Sequence, residues 1–147
     1  MPKVLSQVAL AYIFDINGRV LIAKRPQGKH MAGFWEFPGG MLEPGESPAQ
    51  AIEREILEEL AIEVVGGVEL TSFVLPKSND LEFFPIVCQW ISGDIVLLEH
   101  DEYSFVALGN LANNSLVNHS LANHRLAPAD VMAAQRLMNF LRNTSVN

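Results

Sequence analysis

Val8 to Phe14 and Arg19 to Lys24 are apolar, strand-like runs, and the Asp15-Ile16-Asn17-Gly18 segment between them carries an Asn-Gly pair. Asn-Gly is a strong turn signal, so the chain is expected to begin as a hairpin. A third apolar stretch runs from Gly33 and stops at the pair Gly39-Gly40. Val64 to Leu75, Leu81 to Ile91, Ile95 to Leu98 and Tyr103 to Leu108 read as further strands, with Ser92-Gly93-Asp94 turning the chain between the second and third. Two stretches change period. After Ser47, the residues Ala49, Ile52, Ile56 and Leu60 make a helical stripe, and from Pro128 to about Asn143 Val131, Ala134, Met138 and Leu141 make another. Gly109 to His124 between them is turn-rich, and no repeat, linker or low-complexity segment interrupts the order. Strands on either side of one central helix, closed by a C-terminal helix, predict an α/β fold with a mixed β-sheet between helices.

The central helix has agreeing start signals: Ser47 as N-cap, Pro48 at the first helical position and Gln50 to close a capping box. At roughly 100° per residue, Glu55, Glu58 and Glu59 fall within an arc of about 100° beside the apolar stripe. Such crowding destabilises a bare helix by a few tenths of a kcal/mol per pair unless solvent or a cation offsets it. An oxygen-only set suits Mg²⁺ or Mn²⁺, and the glycine pair lets the Gly40 carbonyl approach the same ion. The plainer alternative is a solvated acidic face.

Composition narrows the class. With 147 residues and 49% hydrophobic content, a single domain over 1–147 with its own core is expected. No window reaches the roughly 18 apolar residues of a membrane span, and the N-terminus alternates like a strand rather than a secretory signal. Cys88 is the single cysteine, compatible with a reducing cytoplasm. A net charge of −7 argues against a nucleic-acid polymer as partner, leaving a small anion with its metal.

Gly40, five residues, Glu46, seven residues and Arg54-Glu55-Ile56-x-Glu58-Glu59-x-Ala61-Ile62 resemble the Nudix box, G-x5-E-x7-R-E-U-x-E-E-x-G-U with U aliphatic. Only Ala61 departs, where the family has glycine just after the helix. A left-handed residue there costs Ala roughly 1 kcal/mol against Gly, a matter of helix-end geometry more than chemistry. The resemblance implies the Nudix α/β/α sandwich and a Mg²⁺-dependent hydrolase of a nucleoside diphosphate linked to another moiety, with Mn²⁺ as a substitute. It also implies that Glu55, Glu58 and Glu59 are metal ligands, with Glu58 or Glu59 the first choice as base. Arg54 would orient these carboxylates, and Glu46 would be its partner or a second support.

Further groups match MutT-type members of the family. Lys24, Arg25, Lys29 and His30 put local positive charge before the glycine pair, suited to phosphates. MutT-type enzymes carry a matching arginine at the position of Arg25, and His30 also resembles their pattern. In His100-Asp101-Glu102-Tyr103, Glu102 precedes an aromatic residue as does the glutamate that joins the family's metal shell, so Glu102 is expected as ligand or second-choice base. Leu126-Ala127-Pro128-Ala129-Asp130 resembles the segment lining the base pocket, making Asp130 the expected reader of a base edge. Ionised, it accepts from an amino group such as cytosine's; protonated, it donates to the altered edge of an oxidised guanine. The expected substrate is a free nucleoside triphosphate, 8-oxo-dGTP first and CTP or a modified dCTP second. A non-catalytic nucleotide-binding Nudix module is the alternative from another class. Oligomeric state is not readable from these features.

Overall fold

The computed structural model describes residues 5–75, 80–110, 120–121 and 124–144. Its strands are β1 (Ser6–Ile13), β2 (Val20–Lys24), β3 (Trp35–Glu36), β4 (Gly39–Met41), β5 (Glu63–Glu69), β6 (Phe73–Val74), β7 (Leu81–Ser92), β8 (Glu102–Val106), β9 (Ser120–Leu121) and β10 (His124–Arg125). The helices are α1 (Pro48–Leu60) and α2 (Pro128–Thr144). One sheet runs β4-β1-β7-β5 with β6 also on β7; a second runs β3-β2-β8, and β9 pairs with β10. β1 and β7 are parallel, Ser6 to Ile13 facing Leu81 to Cys88, whereas β4 and β5 join antiparallel, so the larger sheet is mixed.

The two-residue period of β1 sorts its side chains between two cores. Ala9, Ala11 and Ile13 pack with Ala51, Ile52, Ile56 and Leu60 of α1. Leu10 and Tyr12 pack with Val131, Ala134 and Leu137 of α2. Both helices therefore cover β1 from opposite faces, the α/β/α arrangement the sequence predicts. Tyr12 also donates its hydroxyl to the Ala133 carbonyl at 2.6 Å, which ties the sheet to α2 and satisfies a buried polar group.

Several strand expectations need correction. The Asn17-Gly18 turn forms, with Gly18 at φ 78° and Asp15 accepting from Asn17 and Arg19 amides, but it does not make a hairpin of β1 and β2. A single bridge, Phe14 to Val20, joins them before β1 enters one sheet and β2 the other. The apolar run before the glycine pair is likewise cut at Phe37-Pro38: β3 pairs with β2, and Gly39-Gly40 open β4 against Leu10 and Ala9 rather than ending a strand. Val64 to Leu75 divides into β5 and β6, and Tyr103 to Leu108 shifts to Glu102–Val106. Ile95 to Leu98 is no strand. Its Val96 and Leu98 amides donate to the Leu60 and Glu59 carbonyls, so it caps the end of α1 while Ile95 and Leu97 cover the core. Of the turn-rich Gly109 to His124, residues 111–119 and 122–123 lie outside the described residues.

Candidate active site

The start of α1 has the expected geometry. Ser47 is extended (φ −78°, ψ 162°); its hydroxyl accepts from the Gln50 amide at 3.2 Å, and Gln50 Oε1 accepts from the Ser47 amide at 2.9 Å. At the other end Ala61 is left-handed (φ 59°, ψ 25°), and its amide donates to the Leu57 carbonyl at 3.1 Å. The helix thus ends in the conformation the family glycine serves, with Ala carrying the Cβ penalty.

Arg54 organises the acidic face. Its Nε and Nη2 donate to the two oxygens of Glu46 at 2.7 and 2.9 Å, and Nη2 also reaches the Met41 carbonyl at 3.1 Å. Nη1 serves Glu55 at 3.0 Å and Glu58 at 3.3 Å. The guanidinium holds the Glu46 carboxyl down to about pKa 2, and Glu46 in turn drives the Arg54 pKa further up. Glu55 lies flat against β4: a Cβ at Gly40 would stand 2.6 Å from both of its carboxylate oxygens. Glycine at 40 is therefore what lets this carboxylate approach the backbone.

Glu59 points the other way, into the protein, and is 3% exposed. Burial, then the neighbouring Glu55, Glu36 and Glu99, push its pKa up to about 10. Its Oε1 has no hydrogen-bond partner, and neither has the buried His100 Nδ1 facing it at 3.8 Å. As the side chains stand, no three His, Cys, Asp or Glu among the described residues form a ready-made metal cage. Arg54 holds Glu55 and Glu58 to itself, and Glu58 is exposed. The donor chemistry nevertheless fits a divalent cation: all oxygen, crowded together, with one buried carboxylate oxygen, Glu59 Oε1, left unpartnered.

Glu59 lines a cavity of about 780 Å³ together with Glu36, Glu99 and His100, and the same cavity runs to Asp130 at the start of α2. Asp130 is buried and accepts from the Phe37 amide at 2.9 Å. Burial, then the charge of Glu36, raises its pKa well above the usual carboxylate range, which favours the protonated, donating form. Val8, Leu10, Leu75, Leu81 and Phe83 add an apolar wall. Arg25, Lys29 and His30 line the cavity as well. Arg25 donates to Glu36 at 2.7 Å and to the His30 carbonyl, which holds the loop around it.

Two expected residues stand elsewhere. Lys24 and Glu102 face each other across β2 and β8, 3.6 Å apart, with the Glu102 side chain 61% exposed and neither lining the cavity. The carboxylate from this part of the chain that lines the cavity is Glu99, three residues earlier, because the segment capping α1 carries it past the helix end. Glu36, Glu99 and His100, which line the cavity, are not among the residues that the sequence singled out. The one available signal was Glu36 itself, a charge inside the apolar run Phe34-Trp35-Glu36-Phe37. Such a residue in a buried run calls for a partner.

A mixed sheet between two helices, with crowded carboxylates beside a cavity at one helix end, defines an α/β fold with an acidic candidate active site. The NUDIX domain profile matches residues 5–140, so the chain belongs to the Nudix family and is a Nudix hydrolase. The 8-oxo-dGTP diphosphatase of Proteus vulgaris is 50% identical over 92 residues, 61% of this chain and 82% of that protein. The CTP pyrophosphohydrolase of Escherichia coli (strain K12) is 46% identical over 63 residues, 43% of this chain and 47% of that protein. Among solved structures, the E. coli ORF135 protein superimposes with a TM-score of 0.74 at 27% identity, over 97% of this chain and 95% of that one. MutT protein from Methanosarcina mazei Go1 does so with 0.73 at 26%, over 99% of each. Among the described residues no helix is long and apolar enough to cross a membrane.

Proposed function

We propose that the protein hydrolyses a free nucleoside triphosphate to nucleoside monophosphate and pyrophosphate, with 8-oxo-dGTP the preferred substrate. The observation that carries the reading is Asp130, a buried carboxyl favoured in its protonated form, in the same cavity as the metal-side Glu59. A neutral carboxyl offers one donor and one acceptor. The edge of 8-oxoguanine presents O6 as acceptor and N7–H as donor, which matches it. Unmodified guanine has acceptors at both O6 and N7, so one contact becomes a repulsion of lone pairs. The nearest alternative is CTP, whose cytosine also pairs an acceptor with an amino donor, and which a relative of this chain is named for hydrolysing.

Glu55, Glu58 and Glu59, with the Gly40 carbonyl, would hold Mg²⁺, or Mn²⁺ in its place. When bound, the ion neutralises phosphate charge and lowers the pKa of coordinated water. Arg25, Lys29 and His30 line the cavity and would bind the phosphate oxygens, and Arg54 would keep the helical carboxylates aimed. Water attacks the β-phosphorus, its proton passes to a carboxylate, and the bond to the bridging oxygen of the α-phosphate breaks. Glu58 or Glu59 is the first choice as base, and Glu99 replaces Glu102 as the second because it faces the cavity. The substrate pool so defined is cytoplasmic.

A hydrolysis panel with Mg²⁺ and Mn²⁺ over 8-oxo-dGTP, dGTP, CTP and dCTP tests the proposal. Highest kcat/KM on 8-oxo-dGTP, with pyrophosphate as co-product, is expected. A preference for CTP selects the alternative, and binding without turnover refutes the catalytic assignment.

A further inference from the structure

Glu36 uses its two oxygens in two directions. Oε1 accepts from Arg25 Nη1 at 2.7 Å, and Oε2 meets His100 Nε2 at 2.8 Å. The carboxylate accepts, so Nε2 carries the hydrogen and the ring turns Nδ1 toward Glu59 Oε1, 3.8 Å away. Both of those facing atoms are buried and otherwise unpartnered. A continuous path of side chains therefore runs from a cation on the cavity wall to a carboxylate of α1. It passes through β3 and the segment that follows the cap of α1.

We propose that Glu36 is a positioning residue that links the phosphate side of the cavity to the metal side. By gripping Arg25 with one oxygen and His100 with the other, it sets where Glu59 stands before any nucleotide arrives. This rests on reading Glu59 as a metal ligand. Its distinctive consequence is that Arg25, which touches no helical glutamate in the structure's ion pairs, influences cation affinity through Glu36.

The test is Mn²⁺ binding to the full chain without nucleotide, followed by the electron paramagnetic resonance of free Mn²⁺, with a melting curve for each variant. In Glu36→Gln one acceptor becomes a donor, so with the oxygen kept on Arg25 the amide can hold His100 only as the opposite tautomer, Nε2 accepting and Nδ1–H turned toward Glu59, and the arrangement that links Arg25 to Glu59 is broken. Mn²⁺ affinity should fall about tenfold, the size seen when a support of a metal ligand is lost. Arg25→Lys should weaken Mn²⁺ binding roughly threefold in the wild-type background and leave it unchanged in Glu36→Gln, because the path is already cut. Mn²⁺ affinity within twofold of wild type in Glu36→Gln, or an undiminished effect of Arg25→Lys in that background, overturns the proposal. Should Glu36→Gln lose its cooperative melt, Arg25→Lys at a partly exposed site carries the test alone, and unchanged affinity there overturns it. A wild-type chain that binds no Mn²⁺ overturns the metal assignment and this proposal with it; one that binds while the variants match it overturns this proposal only.

Discussion

Replacing Glu59 by Gln should stabilise the metal-free protein, and do so in a pH-dependent way. The folded pKa of about 10 stands far above the ordinary 4.5, so the sign follows from linkage. Below pH 4.5 both states are protonated and the carboxyl does not oppose folding. As pH rises, the unfolded chain ionises while the folded one keeps its proton, and stability falls by about 1.4 kcal/mol per pH unit until the folded group ionises. At pH 7 the loss is about 3 kcal/mol, whatever the folded pKa is above 7. Gln escapes this loss but buries an amide donor without a partner, an offset of about 1 kcal/mol. The variant should therefore match wild type near pH 5 and exceed it by about 2 kcal/mol at pH 7, roughly 4–8 °C in Tm for a chain of this length. Melts in EDTA at the two pH values measure the gap. With saturating Mg²⁺ only wild type should gain stability, while the turnover of Glu59→Gln falls at least about 100-fold. A Tm gap that is the same at pH 5 and pH 7 would show Glu59 ionised in the fold and refute the reasoning.

Ala61→Gly removes a Cβ from a left-handed residue and should raise stability by up to about 1 kcal/mol, read as a higher Tm; a lower one would contradict the observed helix end. Asp130→Ala should raise KM for 8-oxo-dGTP much more than for dGTP or CTP, since one buried hydrogen bond left unpaired is worth roughly 1 to 3 kcal/mol. Equal losses on all three would place the base pocket elsewhere. Glu99→Gln should lower kcat at least about tenfold while Glu102→Gln stays within about threefold of wild type, as steady-state kinetics at saturating Mg²⁺ will show. The reverse order would restore the role expected for Glu102.

What the sequence determined alone are features set by residues close together along the chain. The capping box of Ser47 and Gln50, the arc of Glu55, Glu58 and Glu59, the left-handed end at Ala61 and the reach of Arg54 to Glu46 depend on local spacing, and the helix converts spacing into position. The period-two pattern of β1 likewise carries both cores, because alternate side chains must face opposite layers. Strand partnership is different. Nothing between Asp15 and Arg19 reveals that β1 and β2 part into separate sheets, since a turn constrains the chain locally while pairing depends on β7 and β8, far along the sequence. Ile95 to Leu98 has the composition of a strand and spends its amides on the end of α1, a choice made by which acceptors lie within reach. The same holds at the site. Glu59 and Asp130 acquire their raised pKa from burial and then from neighbouring carboxylates, Glu55, Glu36 and Glu99 around the first and Glu36 beside the second, and those fields arise only when α1, β3, the segment capping α1 and the start of α2 are brought to one cavity. Tertiary structure also decides which carboxylate near the end of α1 lines that cavity: three residues of chain separate Glu99 from Glu102, and of the two only Glu99 lines it.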